Sequence, residues 1–154
     1  MSEYDAAVRQ LIRGWRKRMR ELVIEAKREN LSQVQEFVDE QLQEVGCPMK
    51  IQISIDIAVE ELFVNIASYA YGPEIGIAVV QVSVHESPLS VEITFIDNGI
   101  QYDPLAKPDP DVTLPAKQRK IGGLGIFMVK KSMDNMIYEY KDGKNILTIK
   151  KNLD

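Results

Sequence analysis

Three short segments of this 154-residue chain carry residue types and spacings that can do chemistry. The first is Glu60-Glu61-Leu62-Phe63-Val64-Asn65. Glu61 and Asn65 are four apart, so on a helix they lie one above the other on a single face, with Ser68 and Tyr69 continuing the line and Glu60 about 100° round. An Asn carbonyl is a neutral oxygen ligand, suited to a Mg²⁺ ion that must also keep phosphate oxygens and waters. A Glu one turn away can accept a proton from a hydroxyl or a water that attacks a phosphate. Alone, the same pair is also what two polar side chains on a solvated helix face look like.

The second segment is Ile96-Asp97-Asn98-Gly99-Ile100-Gln101-Tyr102-Asp103-Pro104, an apolar strand running into Asp-x-Gly. A carboxylate at a strand end can accept a hydrogen bond from an exocyclic amine such as that of adenine, and the absent Cβ of Gly99 lets a flat ring approach the backbone. As a lone motif it is also a common turn. The third is Ile121-Gly122-Gly123-Leu124-Gly125-Ile126. Glycines clustered before a helix let backbone N–H groups converge on phosphate, aided by the positive end of the helix dipole. A dinucleotide fingerprint would need G-x-G-x-x-G directly after a strand, whereas here Gln118-Arg119-Lys120 and a proline-rich stretch come first, and Gly-Lys-Ser/Thr of a Walker loop is absent. A tight helix start remains the other reading of these glycines.

The elements that must position these segments follow from apolar periodicity and breakers. Val8, Leu11, Ile12, Trp15 and Met19 recur at helical spacing between arginines, which predicts a basic amphipathic helix over residues 6–20. Leu22 to Ala26 reads as a short strand. Asn30 is expected to cap a helix from Leu31 to Val45, stopped by Gly46 and Pro48, and a longer helix is predicted from Ile51 to Tyr71, ended by Gly72 and Pro73. Residues 75–84 and 90–96 are rich in Val and Ile and flank turn chemistry at His85-Glu86-Ser87-Pro88, which predicts a β-hairpin. Four of the seven prolines then fall between Pro104 and Pro115, which predicts a loop. A last helix through Met133, opened by the glycines, and two strands about an Asp142-Gly143 turn complete the chain. The expected fold class is α+β, a two-layer α/β sandwich whose mixed, mainly antiparallel sheet is covered by helices on one face.

Composition removes several other functions. Six basic side chains against Glu3 and Asp5 give residues 1–20 a net of +4, so the remaining residues, with thirteen basic and twenty-one acidic side chains, carry −8 of the overall −4. An acidic body argues against nucleic acid as the main partner. The single cysteine, Cys47, allows no intrachain disulfide, and the one histidine, His85, sits in a predicted turn, which leaves no zinc site of usual spacing and no Ser-His-Asp triad. No secretory pattern and no apolar run near ~18 residues is found, so a cytoplasmic protein without a membrane span is expected. Any catalysis must rest on carboxylates, amides and glycines, with or without a bound metal.

In their order and spacing, E-x-x-x-N on a helix, then strand-D-x-G-x-x-aromatic-D-P, then G-G-L-G before a helix resemble the N, G1 and G2 boxes of the Bergerat-fold ATPases, the superfamily of gyrase, Hsp90, histidine kinases and MutL. Residues 61–71, 95–104 and 121–134 carry the resemblance, which is greatest to the anti-sigma-factor serine/threonine kinases of bacteria and covers about residues 19–151. It implies that ATP is the substrate and Mg²⁺ its companion. By this resemblance Glu61 is the catalytic base, Asn65 binds Mg²⁺, Asp97 holds the adenine amino group and Gly99 packs beside the ring. Gly122, Gly123, Leu124 and Gly125 face the phosphates with their backbone amides, and Arg119 or Lys120 approaches the terminal phosphate. Asp103 and Pro104 resemble the structural end of the G1 box. A histidine is frequent in the family where this chain has Tyr69.

The resemblance further implies a STAS-type anti-sigma antagonist as protein substrate, a sigma factor as a second partner, and a homodimer. A nucleotide-gated protein-binding module without phosphotransfer, regulating a phosphatase or another signalling partner, is the alternative. The chain is thereby divided into a basic extension, residues 1–18, and one ATP-binding kinase domain, residues 19–154. The extension is either a helix that docks on an acidic partner or an anionic membrane surface through residues 1–20, or a product of start assignment upstream of Met19.

Overall fold

The computed structural model describes residues 2–16, 19–106, 108–109 and 124–154, with the backbone alone for residues 10–16. The first helix, α1 (Glu3–Arg16), begins earlier than periodicity predicts because Ser2 caps it. The Asp5 N–H donates to Ser2 Oγ at 3.2 Å and the Ser2 hydroxyl donates to the Asp5 carboxylate at 2.9 Å, a local closure of the first turn akin to a capping box. The helix also ends earlier, and Arg20 opens a strand, β1 (Arg20–Glu25), where pairing with Val82 engages its backbone.

Asn30 does not cap the next helix, α2 (Leu31–Glu44). It closes a 3₁₀ turn, Arg28–Asn30, in helical conformation, and its Nδ2 donates back to the Glu25 carbonyl at 2.9 Å. The other end of α2 is as predicted: the N–H groups of Gly46 and Cys47 donate to the carbonyls of Gln43 and Leu42, at 3.1 and 3.0 Å, in a Schellman arrangement. The longest helix, α3 (Met49–Asn65), buries Ile55, Ala58, Val59, Leu62 and Phe63, the i, i+3, i+4, i+7, i+8 stripe of a helix lying on a sheet. Its continuation, Ile66–Ala70, is a π-helical turn where an α-helix was predicted through Tyr71. Wider turns of this kind insert a residue and re-aim those that follow.

The remaining elements are β2 (Ile77–His85), β3 (Ser90–Asp97), α4 (Leu124–Ser132), β4 (Asn135–Lys141) and β5 (Lys144–Asn152). The strands form one sheet in the order β1-β2-β3-β5-β4, and all four pairings are antiparallel, which narrows the expected mixed sheet. Register sets Val80, Phe95 and Leu147 in one row and Val82, Ile93 and Ile149 in the next, all buried under α2, α3 and α4. The opposite face carries residues such as Gln81, Thr94 and Thr148, and the two threonine hydroxyls share a hydrogen bond of 2.9 Å. Period-two alternation of buried and exposed positions is what a sheet with one covered face requires. The result is the two-layer α+β sandwich. Among the described residues no helix is long and apolar enough to cross a membrane.

Candidate functional site

The covered face brings the three candidate segments to one end of α3. Phe63, fully buried, anchors the helix between Glu61 and Asn65, and these two polar side chains flank the core stripe, each partly buried. The Asn65 Nδ2 donates to Glu61 Oε1 at 3.3 Å, so the pair is in contact, as its spacing predicts. The donation also settles the amide's orientation: Oδ1 turns away from Glu61, available as a neutral oxygen ligand.

Gly125, in the first turn of α4, meets Glu61 directly. A Cβ built on Gly125 would fall on the Glu61 carboxylate, so the missing side chain is what gives Glu61 its place. The third segment thus touches the first, and a side chain at 125 would require the Glu61 carboxylate to move. Leu124 is exposed at the start of the same helix. Arg119, Lys120, Gly122 and Gly123 lie outside the described residues.

The second segment is tied to the other end of the α3 extension. The Ile100 N–H donates to the Ala70 carbonyl at 2.8 Å, and a Cβ on Gly99 would strike the Ala70 backbone. The missing side chain lets this turn close on the α3 extension. Tyr71 adds a second tie: its hydroxyl donates to the Ile77 carbonyl and accepts from the Asn98 N–H, the latter at 2.9 Å. Burial is the main cause that pushes the Tyr71 phenol above its ordinary pKa. Asp103, read as the structural end of the segment, accepts from the Leu105 N–H at 2.8 Å, closing a turn.

Asp97 is buried, 6% exposed, at the end of β3. Its Oδ1 accepts from the Gly99 N–H and from the Asn145 Nδ2, both at 2.9 Å. Asn145, 7% exposed, is a residue that sequence reading missed. It faces Asp97 across the β3–β5 ladder and also reaches the Ile100 carbonyl, the Tyr102 N–H and the Tyr138 hydroxyl. Its place directly after the Asp142-Gly143 turn fixes its partner on β4, Tyr140, but not its partner on β3, so no local signal pointed to it.

The arrangement offers a carboxylate held by an amide, a neutral oxygen beside it, and a buried carboxylate at the end of the neighbouring strand. Among the described residues no group of three or more His, Cys, Asp or Glu could hold a metal by itself. A single amide oxygen fits a hard cation that arrives with phosphate oxygens and waters as its other ligands.

The family model of the histidine kinase-like ATPase domain matches residues 24–151, which takes in all three segments and leaves α1 outside. The chain belongs to the histidine kinase-like ATPase domain family. Within this family it is similar to a serine-protein kinase RsbW of Listeria monocytogenes, 31% identical over 101 residues, which cover 62% of this chain and 63% of that protein. It is also similar to a serine/threonine-protein kinase BtrW of Bordetella bronchiseptica, 25% identical over 100 residues, 65% of this chain and 70% of the other. The match therefore spans under two thirds of the RsbW relative's length. The crystal structure of the RsbU and RsbW domains of a Mycobacterium tuberculosis protein shares the fold, with a TM-score of 0.62 at 18% identity over 87% of this chain and 32% of that one.

Proposed function

We propose that the chain is an ATP-dependent protein serine/threonine kinase of the anti-sigma-factor type, which phosphorylates a small STAS-type antagonist and in its other state holds a sigma factor. The observation that carries this reading is the convergence of Glu61, Asn65 and Gly125, with the Glu61 carboxylate seated where a Cβ on Gly125 would lie. A kinase of this type needs positioned charge and a proton acceptor more than a nucleophilic side chain. The names of the RsbW and BtrW relatives agree with that chemistry.

In this reading Asp97 accepts from the adenine amino group. The backbone amides of Gly122, Gly123, Leu124 and Gly125 face the phosphates, with Arg119 or Lys120 near the terminal one. Asn65 keeps the Glu61 carboxylate in place through its Nδ2 and offers Oδ1 to Mg²⁺, which when bound offsets charge on the phosphates. The acceptor hydroxyl oxygen bonds to the γ-phosphorus as the bond to the bridging oxygen breaks. The hydroxyl proton passes to Glu61, and ADP leaves with the electron pair. The protein partners are a STAS-type antagonist and a sigma factor, the chain acts as a homodimer in the cytoplasm, and residues 1–18 form an extension outside the kinase domain.

The experiment is transfer of label from [γ-³²P]ATP to candidate STAS proteins, compared with Glu61→Ala. Loss of a general base is expected to slow transfer about 10²- to 10⁴-fold. Unaltered transfer by Glu61→Ala overturns the role of Glu61. Saturable ATP binding with no transfer to any partner supports the nucleotide-gated binding module instead.

A further inference from the structure

We propose that Asn145 is a positioning residue that sets the base selectivity of the site, by fixing which edge of Asp97 a nucleobase meets. The inference rests on the reading of Asp97 as the adenine-binding carboxylate and extends it to a residue outside the three segments.

Asn145 and Asp97 are direct partners in the β3–β5 ladder and both point into the covered face, where both are buried. The Asn145 amide has full use of its capacity. Its two N–H groups go to Asp97 Oδ1 and to the Ile100 carbonyl, each at 2.9 Å, and its Oδ1 accepts from the Tyr102 N–H at 3.1 Å and from the Tyr138 hydroxyl. Reversing the amide would set oxygen against a carboxylate and a carbonyl, and NH₂ against a backbone N–H. The network therefore admits one orientation.

The consequence falls on Asp97. One of its oxygens, Oδ1, is taken up twice, by the Gly99 N–H and by Asn145. Among the described residues no donor is assigned to Oδ2, so an incoming base meets an edge that accepts and cannot rotate away. An amino group at purine position 6 donates to such an edge, whereas a keto oxygen there faces it acceptor to acceptor. The same amide also holds the turn after Asp97 through Ile100 and Tyr102, and through Tyr138 it braces that turn against β4. Selection between 6-amino and 6-keto purines is thus assigned to four hydrogen bonds of a residue that need not touch the base.

The test compares Mg-ATP with Mg-ITP, which differ at purine position 6, by isothermal titration against the full chain, Asn145→Ala, Asn145→Asp and Tyr138→Phe. The wild-type chain is expected to prefer ATP by about 10- to 100-fold, the range for a hydrogen bond to a charged group. Asn145→Ala should lose at least about fivefold of that ratio through weaker ATP binding, with ITP changed less than about twofold. Tyr138→Phe, which keeps the ring in the core, should move the ratio in the same direction by a smaller factor. Asn145→Asp places two carboxylates side by side and should make ATP affinity fall from pH 5 to pH 8 relative to the wild type measured at the same pH values. A merely structural role would weaken both nucleotides equally, and an unchanged ATP-to-ITP ratio in Asn145→Ala and Tyr138→Phe overturns the proposal. If the wild-type chain binds neither nucleotide, the underlying reading of the site fails instead.

Discussion

Between α2 and α3, away from the candidate site, Asp39 and Asp56 face each other with one oxygen of each buried and without a donor. Two ionised carboxylates in that position repel, and one shared proton satisfies both. Desolvation by burial, then the hydrogen bond and the charge of Asp39, push the Asp56 carboxyl up to about 7 from an ordinary 3.8. The Gln35 side chain, which donates to the Asp56 carbonyl at 3.3 Å, and the Cys47 thiol, itself raised by burial and by both carboxylates, complete the surroundings. The folded chain holds the proton to about pH 7, whereas the unfolded chain releases it near 3.8. The stability this pair contributes is present below about pH 4, declines as pH rises through the window from 4 to 7, and is lost above it. Some three pKa units correspond to about 4 kcal/mol, and solvent screening of these partly exposed side chains reduces that to about 1–2 kcal/mol.

Asp56→Asn supplies a permanent donor to Asp39 in place of the proton. It should raise stability at pH 8 by about 1–2 kcal/mol, or about 3–6 °C in melting temperature for a domain of this size, and change little at pH 4.5. The assay is urea or thermal unfolding followed by far-UV circular dichroism at several pH values from 4.5 to 8.5, with Asp39→Asn as the reciprocal variant. A variant no more stable than wild type at pH 8, or a stability difference that does not grow with pH, refutes the shared proton.

Other expectations come from the two glycines that let the segments meet. Gly125→Ala should displace the Glu61 carboxylate and reduce phosphotransfer about 10²-fold or more, while the gain in helix propensity keeps α4 folded; unchanged transfer with unchanged nucleotide affinity contradicts the contact. Gly99→Ala meets backbone rather than a flexible side chain, so the Ile100 to Ala70 hydrogen bond must open. A loss of about 1–3 kcal/mol in chemical unfolding, with weaker ATP binding, is expected, and wild-type stability contradicts it.

Most of the architecture was legible because it is written in local signals. The Gly46 stop, the helical period of α3 and the Val and Ile richness of β2 and β3 each need no partner distant in sequence. The Glu61–Asn65 contact was likewise legible, since four residues on a helix fix it. What the sequence concealed depends on register between distant elements. Asn145 reads as an ordinary polar residue after a turn until the β3–β5 ladder sets it opposite Asp97, 48 positions earlier. Asp39 and Asp56 read as solvated helix positions until α2 packs on α3. The π-helical turn at Ile66–Ala70 has no local signature either, and it lies where the Gly99 turn must dock on the Ala70 carbonyl. The displaced first helix is a different case, because Ser2 and Asp5 were there to be read and an arginine-rich period drew the boundary instead.

The proposed kinase depends on Mg-ATP binding through Asp97 at the end of β3. Isothermal titration of Mg-ATP into wild type and Asp97→Ala, the fold of each checked by circular dichroism, tests it most directly. One-site binding by the wild type, weakened about 10- to 100-fold in the variant, is the expected result. Equal affinities, or no binding to the folded wild-type chain, would contradict it.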